Sequence, residues 1–153
     1  MVTLEAGRQA IERHDWGAGL QALSEADREQ GLSPQDLVLL GDAYWWSGQP
    51  DDAVSAFERA FTGYVDQDRP GDAAQVGALL AYLAMRRMAM SVVYGWMARV
   101  EKLLEGLPES EAHAWYTLIK VAEAIFIKDD LDAAIGLADD TIEIAQHLGV
   151  PIY

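Results

Sequence analysis

Apolar residues recur along this chain every three or four positions, in stretches several helical turns long that are separated by short polar breaks. That spacing lines one face of a helix. From Pro34, the residues Leu37, Leu40, Tyr44 and Trp45 share a face until Ser47-Gly48-Gln49-Pro50 interrupts them. Ala53, Ala56, Phe57, Ala60 and Phe61 then return at i, i+3, i+4, i+7 and i+8. Two helices joined by so short a break make a hairpin. Similar pairs run across the chain, 3–14 with 16–29, 34–47 with 50–64, 71–88 with 90–106, and 109–127 with 130–148. The prolines mark the boundaries, at Ser33-Pro34, Gln49-Pro50, Arg69-Pro70, Leu107-Pro108 and Val150-Pro151. No alternating run marks a strand, and 118–127, though richer in β-branched residues, has the length and mixture of a buried helix. The pattern predicts one all-α domain over 1–153, with eight helices in four hairpins at about 3–29, 34–64, 71–106 and 109–148.

Small residues open the second helix of each hairpin and set a register between hairpins. With Gly19, Ala53, Val93 and Ala134 taken as equivalent, the spacings are 34, 40 and 41 residues. A period near 34 is the mark of stacked helix pairs. The hairpin 34–65 carries Leu37, Leu40-Gly41, Tyr44, Ala53, Phe57 and Ala60 at tetratricopeptide intervals. Gly41 and Ala53 let two helix backbones approach, and Tyr44 and Phe57 have the bulk to fill the wedge between hairpins. The expected architecture is a tetratricopeptide-like right-handed stack.

Composition narrows the functional classes. The 25 acidic and 11 basic residues give a formal net charge of −14, which repels a phosphate backbone and argues against direct nucleic-acid binding by this segment. There is no cysteine, so thiolate metal sites, disulfides and a cysteine nucleophile are excluded. No uncharged apolar run reaches the roughly 20 residues of a membrane span, and Met1 to Arg13 lacks the apolar block of a signal peptide. A soluble cytoplasmic protein with no membrane contact is expected.

Some runs are more particular than the generic repeat. Leu4-Glu5-Ala6-Gly7-Arg8-Gln9-Ala10, Asp42-Ala43-Tyr44-Trp45-Trp46-Ser47-Gly48, and Tyr94-Gly95-Trp96-Met97-Ala98-Arg99 followed by Leu103-Leu104 resemble the helical-repeat region of LuxR-type transcription regulators. They are also similar to repeat regions in large bacterial proteins that join a nucleotide-cyclase or ATPase-like segment to such helices. The resemblance covers essentially the whole chain and implies the sensory or regulatory part of a transcription regulator. The helix-turn-helix or catalytic domain of those relatives has no counterpart in these residues.

The motifs for catalysis are missing or better read structurally. His14, His113 and His147 fall on separate predicted helices without metal-ligand spacing. Asp66-Gln67-Asp68-Arg69-Pro70-Gly71 starts like a calcium loop but places Pro70 and Gly77 where ligands belong, so it reads as a solvated loop. Asp51-Asp52 and Asp129-Asp130 precede second helices, where carboxylates cap free N–H groups. No Gly-rich phosphate loop or nucleophile elbow appears. A non-enzymatic module with no cofactor and no metal is expected.

The aromatic residues carry the binding expectation. Adjacent residues on a helix point about 100° apart, so Trp45 and Trp46 cannot both be packed centrally. Superimposing the hairpins places Val38, Asp42, Trp45 and Trp46 beside Ala78, Tyr82, Met85 and Arg86, and beside Ile119, Glu123, Phe126 and Ile127. This set predicts a groove for an amphipathic helix or peptide. Asp42 and Glu123 stand where a clamp for a peptide carboxylate needs cations. A small-molecule pocket walled by Trp45, Tyr82 and Trp115 is the alternative. In the last helix, Leu131, Ile135, Ile142, Ile144 and Leu148 are spread too widely for one buried stripe, which predicts a homodimer formed through that hairpin.

Overall fold

The computed structural model describes residues 3–149, so the Val150-Pro151 boundary lies outside it. The described residues are helical and joined by short turns, with no strand among them. Their helices are α1 (Leu4–Glu12), α2 (Trp16–Gln30), α3 (Pro34–Trp46), α4 (Pro50–Asp66), α5 (Pro70–Arg86), α6 (Met90–Leu104), α7 (Glu111–Phe126) and α8 (Leu131–Leu148). Consecutive helices pack as the hairpins α1/α2, α3/α4, α5/α6 and α7/α8. The first two hairpins form one compact unit ending at Asp68, and the last two form another from Arg69.

Every hairpin closes on the same backbone device. A single residue with left-handed φ follows the first helix: His14 at 58°, Gly48 at 79°, Met88 at 58° and Asp129 at 49°. The next N–H then turns back to a carbonyl left open at the helix end, Asp15 to Ala10 at 2.8 Å, Gln49 to Tyr44 at 2.9 Å and Ala89 to Ala84 at 3.0 Å. The last turn is one residue longer, and there Asp130 N–H reaches Ala124 at 2.9 Å. Five residues beyond each turn residue stand Gly19, Ala53, Val93 and Ala134, all buried and each the fourth residue of its helix. The register set by small residues is thus the register of the turns, at intervals of 34, 40 and 41 residues.

Packing inside each hairpin follows that register. Seven residues before the turn, Gly41 lies under Phe57, and a Cβ there would come within 2.7 Å of the ring's Cδ1. Gly7 faces Leu23 at the same two positions one repeat earlier. Ala81 and Met97 hold the equivalent places in the third hairpin, both buried. In the fourth, whose turn is one residue longer, they are Val121 and Ala138, only half-buried, so that hairpin has an alanine where its predecessors place the bulky residue. Phe57 therefore spans the two helices of its own hairpin. Helix α7 buries only Ala112, Ile119 and Ala124, which corrects the expectation of a buried helix over 118–127.

Polar contacts join neighbouring hairpins within the first unit. Asp36, in the first turn of α3, is only 2% exposed and receives the Arg8 guanidinium of α1 in a two-pronged pair at 2.9 and 2.8 Å. Ser33, the N-cap of α3, adds a hydroxyl donor at 2.9 Å. This charged pair holds the Asp36 carboxyl below the usual carboxylate range, chiefly through the Arg8 hydrogen bonds. Arg59 of α4 grips Asp27 of α2 in the same two-pronged way at 2.8 and 2.9 Å. In the second unit Ala74, Val100, Leu104 and Ala112 form a core cluster with Leu103, Leu107 and Tyr116 against it, so α7 rests on both helices of the preceding hairpin.

The acidic caps divide. Asp130 caps α8 by accepting from Ala133 N–H at 3.0 Å, but Asp129 is the left-handed residue of its turn. Asp51 and Asp52 lie in the first turn of α4, where their charge opposes the helix dipole, and the N-cap Gln49 makes no side-chain cap bond. The segment Asp66 to Gly71 is no open loop. Helix α4 runs through Asp66, and α5 starts at Pro70.

Two substitution experiments probe this arrangement. Gly41→Leu and Ala53→Leu should each cost about 1–3 kcal/mol in chemical denaturation through overpacking, and unchanged midpoints would remove the register. Met88 is 67% exposed and bears a left-handed φ that costs a non-glycine residue roughly 1–2 kcal/mol. Met88→Gly should therefore raise stability by roughly 0.5–1 kcal/mol, after the backbone entropy of glycine is subtracted. Gly48→Ala, at the equivalent position, should lower it by about 1 kcal/mol. Shifts of the same sign at the two positions would contradict a shared turn.

Candidate functional site

The predicted binding residues lie on the middle and C-terminal turns of the first helices α3, α5 and α7 and in the turn after α7. In the first unit Trp45 is half-buried and Trp46 is exposed, as the 100° step requires. Trp46 stacks on Trp16 with ring centroids 6.0 Å apart, and Trp16 stacks on His14 at 5.3 Å. The three rings come from the turn of one hairpin and the helix end beside the turn of the next. Helical periodicity alone singles out neither His14 nor Trp16. The available signal was that His14 and Gly48 are equivalent turn residues, which brings Trp16 and Trp46 to the same end of their hairpins.

Val38 and Asp42 lie on the same helix as the tryptophans and are half-buried. Asp42 loses hydration without a compensating cation, and that burial pushes its carboxyl up from 3.8 to about 6.

In the second unit Tyr82 of α5 meets Trp115 of α7, with ring centroids 6.4 Å apart and planes inclined at 60°. Met85 is half-buried, and Arg86 is exposed at the end of α5. Ala78 and Ile119 are fully buried, which makes them core and removes them from any partner-facing wall. Glu123 pairs with the Tyr94 hydroxyl of α6, raising that phenol's pKa, and lies 3.6 Å from Lys128 Nζ. Tyr116 is pushed up to about 12 by burial and by Glu101 of α6. Phe126 is 76% exposed, with Ile127 beside it. Of the predicted self-association set, Leu131, Ile135, Ile142 and Leu148 are exposed and Ile144 is half-buried.

The histidines have structural tasks. His113 Nδ1 accepts from the Ser110 N–H at 3.0 Å at the start of α7, and His147 Nδ1 lies 2.9 Å from Glu109. Among the described residues no group of three His, Asp or Glu side chains is arranged to hold a metal ion. A cleft of about 380 Å³ between the N-terminal ends of α5 and α7 is lined by Arg69, Asp72, Gln75, Ser110 and Glu111. Its arginine is already paired with Asp72 at 2.7 Å. No helix among the described residues is long and apolar enough to cross a membrane.

The chain matches no protein-family model, and comparison with curated proteins finds no match.

Asp42 supplies a pH test. Its raised pKa means that the folded state binds the proton more tightly than the unfolded state. Stability from this group is complete below 3.8 and is lost as pH rises through about 6. Asp42→Asn should therefore stabilise the protein at neutral pH by about 1–2 kcal/mol and lose that advantage in acid. Denaturation midpoints measured across that range should converge at low pH. A constant difference would show that Asp42 is not desolvated.

Proposed function

We propose that this chain is a non-enzymatic helical-repeat module that binds another protein, comparable to the sensory region of a LuxR-type transcription regulator. The observation that carries the proposal is the concentration of exposed apolar side chains on the last hairpin, headed by Phe126 at 76% and Leu131 at 66%. A patch of large apolar residues rimmed by carboxylates suits a protein interface. Several titratable groups of that hairpin serve the fold: Asp130 and His113 at helix starts, Glu123 with Tyr94 and Lys128, and His147 beside Glu109. That is the use expected of them in a scaffold. Self-association through the same residues is the less favourable form of this function. Helix α8 carries Asp132, Asp139, Asp140 and Glu143 with no lysine or arginine, so two copies meeting there would bring like charges together.

Site-specific photo-crosslinking in producing cells tests the proposal. A photoreactive phenylalanine analogue at position 126 or 135 should yield a discrete adduct with another protein, and the same analogue at Glu12 on α1 should not. Absence of a protein adduct from 126 and 135 would contradict it.

A further inference from the structure

The second unit holds one hairpin-to-hairpin junction whose geometry specifies what the last hairpin is shaped to receive. Helix α7 lies across α5 and α6, packed on Ala74, Val100 and Leu104. Counted from the turn at Met88, the residues six and thirteen further on, Tyr94 and Glu101, face α7 through Glu123 and Tyr116. Six residues before the same turn, Tyr82 reaches Trp115 of α7. The first unit uses that position likewise, for Arg8, six before His14, reaches Asp36 of the following hairpin's first helix.

The same count from Asp129 gives Ile135 and Ile142 on α8. Ile135 is 54% exposed and Ile142 41%, with Leu131 continuing their row toward the turn and Phe126 at the end of α7. Where α6 presents a phenol and a carboxylate to its neighbour, α8 presents two aliphatic side chains to solvent. Charge selects what covers them. Asp132, Asp139 and Glu143 occupy the strip of α8 next to this row, and Lys128, just before the turn, already lies against Glu123.

From the repeated register and this charge distribution we infer that the outer face of α7/α8 docks an amphipathic helix of another protein, apolar on one face and basic along its flank. The helix lies across α7 and α8 as α7 lies across α5 and α6. Its apolar face covers Phe126, Ile135 and Ile142, and its cations meet the carboxylates of α8. This rests on the protein-binding reading above and names the partner's chemistry.

The test uses the whole chain and a labelled helical peptide of about 18 residues, long enough to hold helical structure, with leucines at helical spacing and lysines on the flanks. A twin peptide carries glutamate for every lysine. The lysine peptide should bind saturably and weaken as salt is raised, and the glutamate twin should not bind. Ile135→Ser and Ile142→Ser should each weaken binding at least about tenfold, a loss of roughly 1.4 kcal/mol. Both residues are exposed, so the helical circular dichroism spectrum should be unchanged, and Val92→Ser on α6 should leave binding intact. Asp139→Lys should weaken the lysine peptide, giving a second readout.

Equal binding of the twins, or indifference to both isoleucine changes, would overturn the inference. So would failure of the lysine peptide to bind, which would show the face already covered. A concentration-dependent dimer that the peptide cannot dissociate would give the face to a second copy. Protein adducts at position 126 together with failed peptide binding would sink this inference while leaving the protein-binding reading in place.

Discussion

The left-handed residue that closes each hairpin is the constraint on which the other features depend. One positive φ reverses the chain within three or four residues, and the returning N–H satisfies a carbonyl that the helix end leaves open. Once that turn is fixed, so is the depth at which the two helices face each other. The small residue seven before the turn then meets the bulky one nine after it, as Gly41 meets Phe57 and Gly7 meets Leu23. Only Gly48 adopts the turn without strain. His14, Met88 and Asp129 hold it because the helices on either side leave no alternative.

The eight helices among the described residues and their pairing were legible in the sequence because two signals, apolar periodicity and small residues at the second-helix openings, agree with each other. What the sequence concealed is of three kinds. Exposure is one: Ile119 and Phe126 are both large, apolar and on the same helix, and only packing decides that one is core and the other open to solvent. Contacts between hairpins are another, since the His14, Trp16 and Trp46 stack and the Arg8 pair with Asp36 join residues whose separation no local pattern announces. The third is turn chemistry. Methionine and histidine are poor signals for a positive φ, and those turns become visible only by counting from the small residue five positions on.

The binding proposal follows from how the repeat is used up. In a repeat stack each hairpin leaves apolar flank for a neighbour, and within each unit the second hairpin packs on the first. On α6 the neighbour-facing positions have acquired polar side chains that pair with α7, whereas on α8 the equivalent positions remain aliphatic beside a strip of carboxylates. The fourth hairpin also carries an alanine, Ala138, where its predecessors carry methionine, phenylalanine or leucine.

Backbone chemical shifts and three-bond amide couplings measured by NMR test the central claim most directly. They should report left-handed φ at His14, Gly48, Met88 and Asp129, each bracketed by helix and with no other change of backbone class inside a hairpin. Helix continuing through any of these four residues, or a turn displaced from them along the sequence, would contradict the shared register and the packing derived from it.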